Sequence, residues 1–206
     1  GWDSLRGGFR ADGQSARGDR YMLQAEGYGM EADYRTVRLA RVKPYQADFL
    51  GTIRMSGASG QLRWERRLSE TSSLSLESSV SSASRDEEMG VLTNRVVSLD
   101  VQHGFRSGNR QQVTWGLGIR RSLNDFSSER VRTLAANKTL DVLSLFGEDE
   151  FELLREKLFL TVGAKIEHHT YTAWGFQPRV QISVPFHRRQ LAWMSAARAL
   201  RTPSRY

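Results

Sequence analysis

At 206 residues with 39% hydrophobic content and a formal net charge of +7, the chain suits one domain or one piece of a larger one, and its lack of Cys excludes a disulfide framework and a thiolate metal site. The basic balance permits an anionic partner, but Lys and Arg never run longer than two, so there is no basic arm for nucleic acid. No apolar run approaches the ~20 residues of a membrane helix, and Gly1 to Gly13 has neither the charged start nor the apolar core of a secretory leader.

Taken in order, the chain reads as about ten strand-like runs whose side chains alternate between two faces. Leu5 to Asp12 sets Leu5, Gly7 and Phe9 against Arg6, Gly8, Arg10 and Asp12. A polar link, Gly13 to Asp19, leads to Arg20–Tyr28, with Tyr21, Leu23 and Ala25 on one side. A long charged link, about Met30 to Gly57, follows. Gly60 to Leu68 puts Leu62, Trp64 and Leu68 against Gln61, Arg63, Glu65 and Arg67. Ser69 to Ser72 is a tight turn, and Ser73 to Ala83 returns with Leu74, Leu76 and Val80 against a Ser and Glu face. Ser84 to Thr93 reads as a medium loop, charged at Asp86, Glu87 and Glu88.

Asn94 to Arg106 alternates cleanly, with Val97, Leu99, Val101 and Phe105 on one face. Ser107-Gly108-Asn109-Arg110 has the chemistry of a turn that needs positive φ. Val113, Trp115, Leu117 and Ile119 bring the chain back, and a long link from Ser122 to Lys138 follows. In Thr139 to Phe151 either Leu143/Leu145 or Val142/Phe146 could share the apolar face. Its overlap with Asp141–Lys157 fits a period of 3.6 about as well as two, but hairpin-length links on both sides favour a strand. The last three runs set Leu158, Leu160, Val162, Ala164 and Ile166 against Phe159, Thr161, Gly163, Lys165 and Glu167, then Pro178, Val180, Ile182 and Val184 against Gln177, Arg179, Gln181 and Ser183, then Leu191, Trp193, Ser195, Ala197 and Ala199 against Gln190, Ala192, Met194, Ala196 and Arg198. A loop from His169 to Phe176 and a turn from Pro185 to Arg189 join them.

Short and long links alternate throughout, and each run is near the ~9–11 residues of a tilted membrane-crossing strand. Phe9, Tyr21, Phe105, Phe151, Phe159 and Phe186 stand beside the short links, where an aromatic girdle belongs. Arg66 and His103 break the apolar face, both near a short turn, where a charge costs only ~0–1 kcal/mol. The expected fold is therefore all-β, an antiparallel up-and-down meander of about ten strands from a transmembrane barrel. A soluble β-rich binding module and a passive outer-membrane pore or adhesin barrel are the alternatives. Gly1 is not an initiator Met and Tyr206 follows a strand directly, so both ends read as cut.

The motifs Leu160-Thr161-Val162-Gly163, Glu167-His168, Tyr171-Thr172, Gln177-Pro178-Arg179 and Arg201-Thr202-Pro203-Ser204-Arg205 follow one another in order, and Trp115-Gly116-Leu117-Gly118 with Arg120 precedes them. This series resembles the barrel of TonB-dependent outer-membrane receptors, across most of the chain and most strongly after Gln111. The resemblance implies a partial barrel domain over residues 1–206 of a 22-strand type, without the family's plug and TonB box. It implies active uptake of a scarce ligand, typically a ferric siderophore, in the outer membrane of a Gram-negative bacterium. The implied partners are membrane lipid, the plug and remaining strands, TonB through the plug, and the ligand. Neither a cofactor, nor enzymatic activity, nor nucleic-acid binding is implied. An open sheet in lipid would leave roughly five bare backbone groups per edge at several kcal/mol each, so the segment is not expected to span a membrane alone.

Alternation assigns Arg63, Arg67, Arg120, Lys165, Arg179 and Arg198 to the polar face, as candidates to guide an anionic ligand. The plainer reading is that they pair with Glu65, Asp100 and Glu167 or with the plug. His168 and His169 point to opposite faces, so His169 is a single candidate ligand-binding imidazole, or simply a strand-end His at headgroup level. The stretch Tyr34 to Phe49 carries Arg35, Arg38, Arg41 and Lys43 among aromatics, a candidate capture loop. No catalytic constellation is present: Ser59 lacks the glycine spacing of a nucleophile elbow, and no helix follows Gly116-Leu117-Gly118.

Overall fold

A computed structural model describes residues 1–39, 43, 45–128, 137–187 and 190–201. Ten strands make one antiparallel sheet in sequence order: β1 (Trp2–Gln14), β2 (Arg20–Leu39), β3 (Gln46–Ser69), β4 (Ser72–Glu87), β5 (Gly90–Ser107), β6 (Gln111–Ser127), β7 (Asn137–Leu154), β8 (Leu158–His169), β9 (Ala173–His187) and β10 (Gln190–Ala197). Each pairs only with its sequence neighbours, so the chain is an up-and-down meander. No helix occurs among the described residues.

The register aligns the apolar residues of successive strands. Leu62 faces Leu23, Val101 faces Leu117, Leu117 faces Leu145, Leu145 faces Ile166 and Ile166 faces Phe176. This row settles β7: Leu143, Leu145 and Phe151 share the apolar face, and Phe146 lies on the other side opposite Lys165. Among the described residues no hydrophobic side chain is buried. A soluble globule needs a second layer to cover such a face; here the single sheet leaves it open.

The apolar face is a band with charged margins. On β6 and β7 it runs from the hydrogen-bonded pair Gln111–Asp149 to the ion pair Arg121–Asp141. Gln111 to Arg121 spans about 34 Å at ~3.4 Å per residue. A tilt of about 45° reduces that to roughly 24 Å, close to the ~25 Å apolar belt of a membrane barrel. On β2 and β3 the corresponding margins are Asp19–Arg66 (3.5 Å) and Glu31–Arg54 (2.9 Å).

Four expectations need correction. The links are shorter than read: within the long link Met30 to Gly57, β2 continues to Leu39 and β3 starts at Gln46; the medium loop Ser84 to Thr93 shrinks to two residues between β4 and β5, and the loop His169 to Phe176 to three between β8 and β9; of the long link Ser122 to Lys138, Ser122–Ser127 and Asn137–Lys138 are strand and 129–136 lie outside the described residues. In β2 and β3 polarity inverts along the strands, which ends the sequence alternation without ending the backbone pairing. Phe159 lies opposite Ser183 on the polar face, so it is not part of the aromatic girdle. In β10 a register shift between Gln190 and Leu191 places Trp193 opposite Ser183 and Met194 opposite Ile182. A slip of one residue flips every side chain, so Trp193, Ser195 and Ala197 take the polar side. The same shift carries Arg198 to the register position of Pro178, whose carbonyl accepts its N–H at 3.0 Å, on the apolar side rather than beside Arg179.

Candidate functional site

The polar face holds the remaining candidate cations where alternation placed them. Arg63 stands opposite Glu77, Arg67 opposite Ser73, Arg120 opposite Ser98, Lys165 opposite Gln177 and Arg179 opposite Gly163. Three of them are paired. Glu65 bridges Arg63 and Arg20, each at 2.6 Å. Lys165 meets Glu167 at 2.6 Å, and Arg179 meets Glu148 at 3.5 Å while donating to Gln181 at 2.6 Å. Arg67 and Arg120 have no ion-pair partner among the described residues. Exposed pairs contribute only ~0–1 kcal/mol, so their main effect is to fix side-chain positions; of the five candidates, Arg67 and Arg120 are left uncompensated among the described residues.

Glycines set the profile of this face. A Cβ at Gly118 would lie 2.5 Å from Asp100 Oδ1 and 2.7 Å from Ser144 Oγ, and one at Gly116 would lie 2.5 Å from the Phe146 ring. The Trp-Gly-Leu-Gly motif thus alternates bulk on the apolar side with room for neighbours on the polar side. At the end carrying the short turns, the polar face forms a basin of about 880 Å³ in which Arg17, Arg20, Arg63, Arg67 and Arg106 outnumber Glu65 and Glu70. Such a surplus of guanidinium attracts anions.

His169 is 7% exposed on the polar face; its Nδ1 accepts the Tyr171 N–H at 3.4 Å. His168 is on the opposite face against Trp174, with ring centroids 4.9 Å apart. No group of three or more metal-ligating side chains occurs among the described residues. In the acidic cluster, Glu87 accepts from Arg85 at 2.9 Å. Gln177, Pro178 and Arg179 lie in β9, Arg201 is exposed beyond β10, and Thr202, Pro203 and Ser204 fall outside the described residues.

A further patch escaped the sequence reading. Beyond Glu31 and Arg54, the β2–β3 hairpin exchanges its polarity. The formerly apolar side carries Glu31–Arg54, Asp33 with Thr52 at 3.0 Å, and the ion pair Arg35–Asp48, with Leu50 and Val37 as exceptions. The formerly polar side carries Met30 opposite Met55, Ala32 opposite Ile53, Tyr34 opposite Gly51 and Thr36 opposite Phe49. Tyr34 meets Phe49 edge to face at 6.3 Å. The signal was present as alternation out of phase with the preceding run.

On the far margin, the Arg121 guanidinium donates to both Asp141 oxygens at 2.7 and 2.9 Å. That hydrogen bonding, with the added attraction of the positive charge, holds the Asp141 carboxyl below its ordinary value against a smaller opposing desolvation.

No family model and no curated protein matches the sequence. Among solved structures, the chain is similar to the siderophore receptor PirA from Pseudomonas aeruginosa (TM-score 0.64, 13% identity, covering 98% of this chain and 40% of that one). It is also similar to BauA, the ferric preacinetobactin receptor from Acinetobacter baumannii (TM-score 0.65, 12% identity, 94% and 39%). A variant of the ferric enterobactin receptor PfeA from Pseudomonas aeruginosa, solved in complex with enterobactin, gives TM-score 0.56 at 16% identity over 97% of this chain and 42% of that one. The chain therefore has the fold of part of a siderophore-receptor barrel, and spans about 40% of the length of these receptors.

Proposed function

We propose that this chain is a segment of the barrel of a TonB-dependent outer-membrane receptor that imports a ferric siderophore. The observation that carries this reading is the ten-strand meander itself: an apolar band of membrane height on one face, charged and hydroxyl groups on the other, and a backbone that follows siderophore receptors for almost its whole length. In this reading the apolar face meets lipid and the polar face lines the lumen. The short turns are periplasmic and the long hairpins external. The two sheet edges, free in β1 and β10, are closed by further strands, because bare backbone groups in lipid cost several kcal/mol each.

The chemistry asked of these residues is recognition and passage, not bond making. Of the candidates, Arg67 and Arg120 are the ones without a carboxylate partner among the described residues and so free for a negatively charged iron complex, while Arg63, Lys165 and Arg179 are held by carboxylates. His169, nearly buried beside Tyr171, fits a strand-end support better than a ligand.

The test is uptake of radio-iron siderophores by Gram-negative cells that lack their own receptors and carry the gene containing this chain. Uptake that disappears when TonB is deleted supports the reading. Uptake of small solutes that persists without TonB assigns a passive pore, and no uptake of any iron complex overturns the receptor.

A further inference from the structure

At the end of the sheet that carries the short turns, the margin of the apolar face holds an ion pair that is only half closed. Asp19 ends the β1–β2 turn, where its N–H donates to Ser15 Oγ at 3.1 Å and its C=O accepts the Ser15 N–H at 2.8 Å. Its side chain is thereby fixed beside Arg66 of β3, and the residue is 7% exposed. Arg66 Nε stops 3.5 Å from Asp19 Oδ1, and that oxygen has no hydrogen-bond partner. Among the described residues, Oδ2 accepts only the Tyr21 hydroxyl, also at 3.5 Å. The Arg66 side chain is 45% exposed and donates no hydrogen bond among the described residues. The margin pairs at the other end differ: Arg54–Glu31 closes to 2.9 Å and Arg121–Asp141 to 2.7 Å, each with a half-exposed carboxylate. A nearly buried carboxylate oxygen without a hydrogen bond is costly, so Asp19 favours a cation that comes closer than Arg66 does.

The neighbours of this corner suit a lipid headgroup. Tyr21 stands opposite Trp64 on β3 and opposite Gly13 on β1. A Cβ at Gly13 would meet nothing within 4 Å, so the glycine leaves open ground beside Tyr21. Tyr and Trp favour this depth, where an apolar ring meets polar headgroups. Toward mid-band, Leu23 faces Leu62. From Asp19–Arg66 to Glu31–Arg54, every lipid-side position of β2 and β3 is uncharged, so acyl chains could lie along these two strands without meeting another charge.

We infer that Asp19 and Arg66 bind the headgroup of an aminophospholipid in the periplasmic leaflet. Arg66 turns outward to donate to the phosphate, and the primary ammonium takes its place against Asp19 beside Tyr21. The acyl chains run along Leu23 and Leu62. A phosphate and an ammonium joined by a short ethylene link answer a guanidinium and a carboxylate 3.5 Å apart, and both contacts become charge-assisted hydrogen bonds. A phosphatidylglycerol has the phosphate but brings no cation to the carboxylate, and a quaternary ammonium has no N–H to donate. The inference rests on the assignment of this face to lipid and adds the lipid class and its seat.

The experiment is native mass spectrometry of the full chain that contains this segment, released from detergent micelles with one lipid at a time. The probes are phosphatidylethanolamine and phosphatidylglycerol with identical acyl chains, and the readout is the dissociation constant of the first bound lipid. Phosphatidylethanolamine is expected to bind about 2- to 13-fold more tightly, the range of one net hydrogen bond. Asp19→Asn removes the preference by weakening phosphatidylethanolamine alone, whereas Arg66→Gln weakens both lipids. Equal affinities on the unaltered protein, or a preference that survives Asp19→Asn, overturn the inference while the lipid assignment of the face stands. A protein that binds neither lipid and stays monodisperse without detergent overturns that assignment instead. The comparison of lipids on the unaltered protein decides against the inference even where a variant fails to fold.

Discussion

Trp115 donates its indole N–H to Nδ1 of His103 at 3.1 Å. An indole nitrogen can only donate, so His103 Nδ1 accepts and the proton of the neutral ring lies on Nε2, which donates to Ser72 Oγ at 2.9 Å. His103 also stacks on Phe105 with centroids 5.2 Å apart. The residue that broke the apolar alternation is thus polar only inwardly: both nitrogens are used, and the ring adds to the aromatic margin. Trp115→Phe removes the donor and keeps the bulk. It is expected to cost about 1 kcal/mol, read by urea unfolding of the protein in micelles, while nitrogen shifts of His103 move off the Nε2–H tautomer pattern.

Depth within the band governs the cost of a charge. Leu117 is at mid-band, whereas Leu74 lies in one row with Arg66 and His103 near the short turns. Leu117→Arg should lose ~2–4 kcal/mol and Leu74→Arg only ~0–1. Equal losses in the same unfolding assay would contradict the assignment of this face to lipid.

On the opposite face, a Cβ at Gly116 would lie 2.7 Å from the Val101 carbonyl oxygen and 2.5 Å from the Phe146 ring. Gly116→Val therefore presses on backbone that cannot step aside. A loss of about 1–3 kcal/mol follows from overpacking, measurable as a lower temperature for the loss of heat-modifiable mobility. Gly147→Val, where a Cβ meets nothing within 4 Å, should be near neutral and serves as the control.

Asp141 is held below its ordinary pKa by the Arg121 guanidinium. A carboxyl depressed in the folded state binds its proton less readily there than in the unfolded chain. The pair therefore stabilises fully above the unfolded carboxyl value, and that contribution is lost as pH falls through the lower folded value. Asp141→Asn should lower stability slightly at neutral pH, where the pair contributes in full, and leave it unchanged below the folded value, which flattens the acid side of the stability curve; the difference is small because an exposed pair is worth little.

Much of this fold was legible because a membrane strand writes its two environments into every second residue. Val97, Leu99 and Val101, or Leu160, Val162 and Ile166, leave no other consistent reading. The short turns were legible for the same reason: Ser107-Gly108-Asn109-Arg110 interrupts the alternation, and Gly108 takes φ 66°. What failed was the equation of lost alternation with lost strand. Met30 to Gly57 looks like a loop because Glu31, Asp33 and Arg35 stand where apolar residues stood, yet pairing continues to Leu39 opposite Gln46. β10 failed differently. Its periodicity was read correctly, but a bulge at Gln190/Leu191 selects the face, and no residue count reveals a bulge. Of the candidate cations, Arg63, Arg67, Arg120, Lys165 and Arg179 followed from period two, and Arg198 was lost with that bulge.

Every strand pairs only with the strand next to it in sequence, and this sets how the sheet can be altered. Loop-closure entropy grows with the span enclosed, and no pairing here reaches beyond the adjoining hairpin. Registry is accordingly a private matter of each hairpin: lengthening the β2–β3 ribbon displaces no residue of β5 or β6. Single hairpins of such a sheet can therefore be exchanged one at a time while the rest of the wall stays as it is.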